Sequence, residues 1–230
     1  MSYILDGDNW ELADPTSIGQ LLLDHLTLTG LSMVLALILA VPLALISARH
    51  PRIYLPLITT AGILYTLPSL AFMAALIPFT GLSRTTVVIP MVLYAQVVLI
   101  RNIVAAIHAV DPGLVDIGRA MGMSPRQIQR YVVLPLALPV IIAGVRIATV
   151  TTIGIATIAP LFGVRNLGYL IFQGFNTSYD AQVLAGVIMV SALAIAADLT
   201  LLLLQHALTR GQRAAAAKTT APAFAVSRQG

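Results

Sequence analysis

The 230-residue chain is 58% hydrophobic and only 10% charged, and its mean hydropathy is +0.92. Ordinary soluble domains carry roughly 25% charged residues, so this composition predicts a membrane protein that depends on the lipid bilayer. The net charge of +4 does not indicate nucleic-acid binding, because Arg and Lys cluster at the ends of apolar segments, and the lack of Cys excludes disulfides and thiolate metal sites.

The first predicted elements are an acidic N-terminal segment and a long apolar span. Residues 1–17 carry Asp6, Asp8, Glu11 and Asp14 in place of a basic signal-peptide leader, so we expect an extracytoplasmic segment and a retained first helix. A helix that crosses the hydrocarbon core needs about 20 mainly apolar residues. Five segments meet this requirement and predict an all-α polytopic membrane protein, at about 18–48, 53–79, 85–108, 137–161 and 181–208.

Proline and charged residues interrupt these spans. Pro68 removes a backbone donor in the second span, and in lipid that loss must be compensated by neighbouring groups, so a bend is expected there. Arg101, Arg146 and Asp198 occupy similar predicted depths in the third, fourth and fifth spans. Charge at membrane depth is costly, so Asp198 is expected to be neutralised by Arg101 or Arg146 in an intramembrane ion pair with a structural role.

A polar loop at 111–135 separates the third span from the fourth. Asp111-Pro112 and Ser124-Pro125 each place a capping residue before a proline at the first helical position. Gly122 lies between them and can reverse the chain. The loop is therefore predicted to form two short helices that meet at a glycine corner.

The last predicted elements are a tightly packed fourth span, a fifth span and a tail. Small residues in Ala143-Gly144 and at 149–156 would allow a neighbouring helix to approach closely. Residues 209–230 are rich in Ala, Thr and Pro, and a disordered tail is expected there.

The distribution of basic residues predicts the topology. Arg residues are concentrated between the first two spans, in the 111–135 loop and after the fifth span, whereas the other connections hold only Arg84 and Arg165. By the positive-inside rule, the N-terminus is expected outside and the C-terminus in the cytoplasm. The 111–135 loop is then cytoplasmic.

The loop resembles the EAA loop of ABC-transporter permeases. That pattern is Glu-Ala-Ala, three residues, Gly, nine residues, Ile, any residue and Leu-Pro. Gly122, Leu134 and Pro135 match it, while Asp116, Ile117, Gly118 and Val132 replace its other residues. The resemblance implies a loop that couples to an ATPase through Asp116, Gly118, Ala120, Gly122, Ser124, Pro125, Leu134 and Pro135.

The chain outside its two tails is similar to the osmoprotectant permeases, which import glycine betaine, choline and carnitine. The resemblance is carried by segments at 25–29, 67–71, 110–112, 134–139, 143–146, 167–168 and 171–172. It implies a MetI-like permease fold working by alternating access, with a second permease subunit, two ATPase subunits and an external solute-binding protein. It also favours a translocation path near Tyr65, Pro68, Ser69, Thr149 and Thr152.

The residues themselves give little support to an enzyme. The four His residues are scattered at helix ends, and no Ser-His-Asp arrangement, metal-ligand spacing or phosphate-binding Gly-Lys-Ser motif occurs. ATP and Mg are therefore expected on a separate ATPase, with no cofactor in this chain. No binding domain is evident either, and with only 6% aromatic residues, specificity is expected in the binding protein.

Three alternatives stay open at this point. The first is a permease for another small solute, such as an amino acid. An ion-coupled secondary transporter is disfavoured because the chain has no repeat and no pair of carboxylates at mid-depth. A membrane-embedded enzyme would need a clustered nucleophile or metal site, which the sequence does not contain.

Overall fold

The computed structural model describes residues 2–11 and 14–219, with side chains for 3–11 and 14–209. These ranges contain helices and no strand, which confirms the all-α prediction. In chain order the helices are α1 (Ser2–Leu5), a 3-10 helix (Gly7–Trp10), α2 (Ile18–Arg49), α3 (Pro51–Thr66), α4 (Ser69–Thr80), α5 (Arg84–His108), α6 (Pro112–Ala120), α7 (Pro125–Ile128), a π-helix (Gln129–Val133), α8 (Leu134–Ala156), a 3-10 helix (Ala159–Phe162), α9 (Gly168–Asn176) and α10 (Asp180–Thr219).

Four continuous helical segments are long and apolar enough to cross a membrane. A fifth span is obtained if α3 and α4, which form a bent pair, are counted as one. The span predicted at 53–79 is this bent pair, and the bend expected at Pro68 is a sharp break at which α3 and α4 meet at an angle of 94°. Leu67 and Pro68 between them have extended backbone, with ψ of 133° and 128°. The physical cause is the proline, which lacks an N–H and disfavours helical backbone at the residue before it.

The fourth span begins earlier in the chain than predicted. It runs without a break from Pro125 to Ala156, since α7, the π-helix and α8 are continuous. Pro135 is the second residue after the π-helix, whose wider hydrogen-bonding pattern accommodates irregularities in the helical ladder. The second short helix of the loop is therefore the first turn of the span.

Helix α5 is the centre of the bundle and packs against α2, α3, α4 and α8. Small residues make the closest approaches possible. Ala36, Ala40 and Ala44 of α2 are fully buried in the core cluster shared with α5. On α8, a Cβ added at Gly144 would lie 2.5 Å from Cβ of Asn102, which confirms the predicted close packing at this glycine.

Helix α10 packs against α8 and α9 on one side and exposes a mainly leucine surface on the other. It continues to Thr219, so the part of the predicted tail at 209–219 is helical, while residues 220–230 lie outside the described residues. Four consecutive alanines at 214–217 have the highest helix propensity and account for this extension.

Candidate functional site

The loop between α5 and α8 has the two capped helices that the sequence predicts. The Asp111 carboxylate accepts a hydrogen bond from the Gly113 N–H at 2.8 Å, directly before Pro112. Ser124 and Gln127 form a reciprocal capping box, in which Gln127 Oε1 accepts from the Ser124 N–H at 2.8 Å and Ser124 Oγ accepts from the Gln127 N–H at 3.4 Å. Both cap predictions are confirmed.

Gly122 forms the corner between these helices. Its φ is +78°, in the left-handed region that favours glycine. The Met123 N–H donates to the Gly118 carbonyl at 3.1 Å, and the Gly122 N–H donates to the Arg119 carbonyl at 2.9 Å. This pair of hydrogen bonds is the Schellman motif that ends many helices. The corner is fixed by backbone geometry.

The faces of the two short helices have different surroundings. Gly118 is buried, and an added Cβ would contact Ile128 and Met123 at 3.4 Å, so this residue sets the spacing between α6 and α7. Ala120 is exposed, while Leu134 and Pro135 are half-buried at the start of α8. The predicted loop residues therefore divide into an inner packing set and an outer surface.

Asp116 lies on the outer surface and pairs with a residue of its own helix. Its carboxylate is 2.7 Å from Arg119 Nη1, and both side chains are about two-thirds exposed. The same helix end also exposes the apolar side chains of Leu114, Ile117 and Met121, which recur at helical spacing on a different face from the charged pair. Exposed apolar side chains on a short polar loop have the character of a protein-docking surface.

The inner side of the loop contacts the end of α2, which in turn contacts the end of α5. Arg49 Nη2 at the end of α2 donates to Gln129 Oε1 at 3.3 Å, and His108 Nε2 at the end of α5 lies 3.0 Å from the Ala48 carbonyl oxygen. A cavity of about 640 Å³ lies between α2 and the loop, and its walls include Arg49, Arg119 and Gln129. Movement of the loop would therefore reach both α2 and α8.

The predicted intramembrane ion pair forms between Arg146 and Asp198. Arg146 Nε and Nη2 donate to the two carboxylate oxygens at 2.9 and 2.7 Å, a bidentate geometry. Gln205 extends the network, since it accepts from Arg146 Nη1 at 3.3 Å and donates to the Pro139 carbonyl at 2.9 Å. The pair joins α8 to α10.

Of the two predicted partners of Asp198, Arg101 is not the one that forms the pair. Arg101 is exposed on α5 and has no ion-pair partner among residues 3–11 and 14–209. Asn102, the next residue, faces Gly144 of α8, and successive helical residues point about 100° apart. Two side chains on different spans can lie at similar depth and still face different neighbouring helices.

The structure separates the predicted translocation-path residues into two places. Tyr65, Pro68 and Ser69 lie at the break between α3 and α4, where Tyr65 is exposed. Thr152 on α8 is buried, with its hydroxyl 3.5 Å from the Met33 sulfur of α2, and Thr149 donates to the carbonyl of Val145. Thr152 is therefore closed off by packing in this conformation.

Comparison with known proteins decides the family. Residues 27–213 match the family described as "Binding-protein-dependent transport system inner membrane component". The chain belongs to this family. The permease is thus a multi-pass membrane transport subunit rather than a catalyst, as the resemblance implied.

Several curated relatives of the permease are osmoprotectant transport subunits. It is 36% identical over 210 residues to the osmoprotectant import permease protein OsmW of Salmonella typhimurium, covering 89% of this chain and 98% of the relative. It is 39% identical over 178 residues to the carnitine transport permease protein OpuCD of Listeria monocytogenes, covering 77% and 80%. The choline transport system permease protein OpuBB of Bacillus subtilis is 34% identical over 186 residues, covering 81% and 86%.

Solved structures confirm the MetI-like fold of the permease. An inward-facing structure of the MetNI methionine ABC transporter superposes with a TM-score of 0.75 at 20% identity, covering 84% of this chain and 96% of that one. An amino acid ABC transporter solved with histidines gives a TM-score of 0.64 at 21% identity, covering 84% and 92%. At this level of identity the likeness concerns the fold alone.

Sequence reasoning missed three parts of the permease site. The role of Gln205 could not be predicted from the sequence, because a single polar residue near the end of a span is common. The exposed apolar patch on α6 was detectable in principle, since Leu114, Ile117 and Met121 recur at helical spacing in a polar loop. The ring of Tyr94 packs at 5.7 Å from that of Tyr65 and at 5.9 Å from that of Phe72, a contact across the helix break that spacing cannot reveal.

Proposed function

We propose that this permease is the translocation subunit of an ATP-binding-cassette importer for quaternary-ammonium osmoprotectants such as glycine betaine, choline or carnitine. The names of the relatives at 34–39% identity support this substrate class. The observation that carries the mechanism is the loop at 111–135, whose fixed corner, exposed apolar patch and connection to α8 suit an energy-coupling element.

The proposed assembly contains two permease subunits, two ATPase subunits and an external solute-binding protein, in the lipid bilayer and without nucleic acid. ATP and Mg are assigned to the ATPase, because this chain has no phosphate-binding motif. The N-terminus is placed outside and the C-terminus in the cytoplasm, since Arg119, Arg126 and Arg130 concentrate in the loop. This orientation puts the loop on the side where ATP is available.

Coupling proceeds through rigid connections in the chain. An ATPase that docks on α6 moves α7 with it, because Gly118 packs directly against Ile128. Helix α7 is continuous with α8, and Gln129 is bonded to Arg49 at the end of α2. Closure of the ATPases would therefore tilt α8 and α2 together, which is the rigid-body movement that alternating access needs.

The decisive experiment is reconstitution of the permease with an ATPase subunit and a solute-binding protein from the same organism. We expect the three to copurify, and the binding protein to bind glycine betaine, choline or carnitine more tightly than proline. Uptake of the bound solute into proteoliposomes should require ATP and should persist when ionophores remove all ion gradients.

Two results would overturn parts of this proposal. Uptake driven by an ion gradient without ATP would favour the secondary-transporter alternative. ATP-driven uptake of proline or another amino acid, with no response to any quaternary amine, would leave the permease assignment and remove the proposed substrate class.

A further inference from the structure

The break between α3 and α4 places aromatic rings near the middle of the membrane. Tyr94, whose ring contacts both Tyr65 and Phe72, lies about 15 Å from Arg84 and about 21 Å from His108 along α5, at about 1.5 Å per residue. The Tyr94 hydroxyl donates to the Leu67 carbonyl at 2.8 Å and so holds the break at this depth.

The same break leaves backbone acceptors at the end of α3. The last carbonyls of a helix have no intrahelical partner. Here Thr66 Oγ1 donates to the Ile63 carbonyl and the Leu67 N–H to the Leu64 carbonyl. The carbonyl oxygens of Tyr65 and Thr66 accept no hydrogen bond from any residue in the described part of the chain. They lie at the negative end of the α3 dipole.

The three rings differ in accessibility. Tyr94 is 3% exposed and Phe72 is half-buried, so these two rings support the cluster from the protein side. Tyr65 is 43% exposed, so its ring is accessible, and it belongs to the same helix end as the free carbonyls.

We propose that Tyr65 and the carbonyl oxygens of Tyr65 and Thr66 form a transient binding site for the quaternary ammonium group of the transported solute. Aromatic faces attract quaternary ammonium cations, and broken membrane helices present carbonyl ends to cations near the midplane. The substrate class in this inference rests on the proposed function. A hard ion such as Na⁺ or Ca²⁺ fits less well, because it requires a shell of several oxygen ligands.

The proposed site has a low affinity because it offers few contacts. One open ring and two carbonyls are far fewer contacts than a closed aromatic cage provides, so release follows binding readily. A weak site suits a translocation path, and it is compatible with a separate binding protein that sets specificity. Removal of one cation–π contact changes affinity about 2- to 30-fold.

A fluorescence titration of the assembled complex tests binding directly. Trp10 is the single Trp of the chain, so Trp10→Phe with Tyr65→Trp gives a permease with one reporter at the proposed site. Trp10→Phe with Phe79→Trp places a matched reporter at the exposed far end of α4. Subtraction of the signal of a Trp10→Phe complex removes the contribution of the other subunits.

We expect choline and tetramethylammonium to produce a saturable change at position 65 and none at position 79. The neutral choline isostere 3,3-dimethyl-1-butanol should produce none at either position. The inference is overturned if position 65 gives no saturable change, or if the neutral compound or Na⁺ has the same effect as choline.

Transport by Tyr65 variants gives a second, independent readout. Tyr65→Phe keeps the ring and should retain choline uptake within about 2-fold, whereas Tyr65→Leu should lower it about 2- to 30-fold at unchanged melting temperature. Equal uptake by the Leu and Phe variants would contradict the site. If the wild-type complex imports no quaternary amine, the proposed function fails, and the titration at position 65 still decides the site by itself.

Discussion

At the scale of single residues, the pairing of Arg146 with Asp198 explains how one charge is tolerated in each of two neighbouring spans. Both carboxylate oxygens and three guanidinium nitrogens have protein partners, and Gln205 anchors the group to the Pro139 carbonyl. The side chains remain 21% and 36% exposed, so the pair lies at the edge of the α8–α10 contact. A fully paired group of this kind is much less costly in lipid than either ion alone.

We expect Asp198→Asn to lower the melting temperature of the purified permease, because Arg146 would lose its counter-charge. Arg101→Gln is the matched control and should leave the melting temperature unchanged, since Arg101 has no ion-pair partner among the described residues. The exchange Arg146→Asp with Asp198→Arg should recover part of the loss. Thermal unfolding in detergent checks all three, and an unchanged melting temperature in Asp198→Asn would contradict the structural role.

Asn166 gives a prediction for the turn before α9. Its amide donates to the Ala156 carbonyl at 2.6 Å and accepts from the Gly168 N–H at 2.8 Å, and the side chain is fully buried. Asn166→Ala leaves both backbone groups without this partner and should cost about 1–3 kcal/mol. The exposed neighbour Arg165→Ala should change stability little. Equal melting temperatures for the two variants would show that the buried amide does not hold the turn.

At the scale of elements, the two short helices of the loop are held by one corner and one contact. The corner requires a left-handed backbone at Gly122, where an added Cβ would meet no atom within 4 Å. The contact requires a small residue at Gly118, where neighbours are already at 3.4 Å. Backbone strain and side-chain packing can therefore be tested separately in the same loop.

Gly122→Val should impair coupling without affecting membrane insertion. A β-branched residue in the left-handed region costs about 1–2 kcal/mol, which the loop relieves by turning α6 away from α7. Gly122→Asn should be milder, because Asn tolerates this conformation. The measurement is ATP hydrolysis stimulated by the loaded binding protein in reconstituted complexes. If Gly122→Val keeps wild-type stimulation and copurifies the ATPase, the loop is not the coupling element.

Gly118→Leu should reduce copurification of the ATPase, because the larger side chain displaces Ile128 and separates the two helices. Gly118→Ala is the matched control and should be tolerated, since its Cβ would be in ordinary contact at 3.4 Å. Alanine is also the residue that the EAA pattern has at this position. A Leu variant that binds the ATPase as well as the Ala variant would contradict the packing role of Gly118.

At the scale of the whole molecule, the topology can be tested with few changes because the chain has no Cys. Glu11→Cys and Arg126→Cys place single thiols at exposed positions before α2 and in the loop. In intact cells, a membrane-impermeant maleimide should label Glu11→Cys at once, and Arg126→Cys only after the membrane is permeabilised. The reverse order would invert the proposed orientation.

The sequence alone determined the membrane class, most of the spans and the local form of the loop. Those properties depend on composition, apolar length and capping chemistry, all of which are local: Asp111 and Ser124 cap their own helices, and Gly122 turns its own chain. The break at Pro68 was only partly predictable from the sequence, because a proline predicts a bend but not its angle of 94°.

The tertiary structure alone decided which side chains meet across helices. Depth in the membrane follows from position along the chain, but the direction of a side chain follows from how each helix is rotated against its neighbours. Arg101 and Arg146 have similar predicted depth, and only Arg146 faces Asp198. Tyr65 and Tyr94 meet for the same reason, because the break folds the end of α3 against α5. Helix rotation is set by packing at residues such as Ala40 and Gly144, whose contacts lie far away in the sequence.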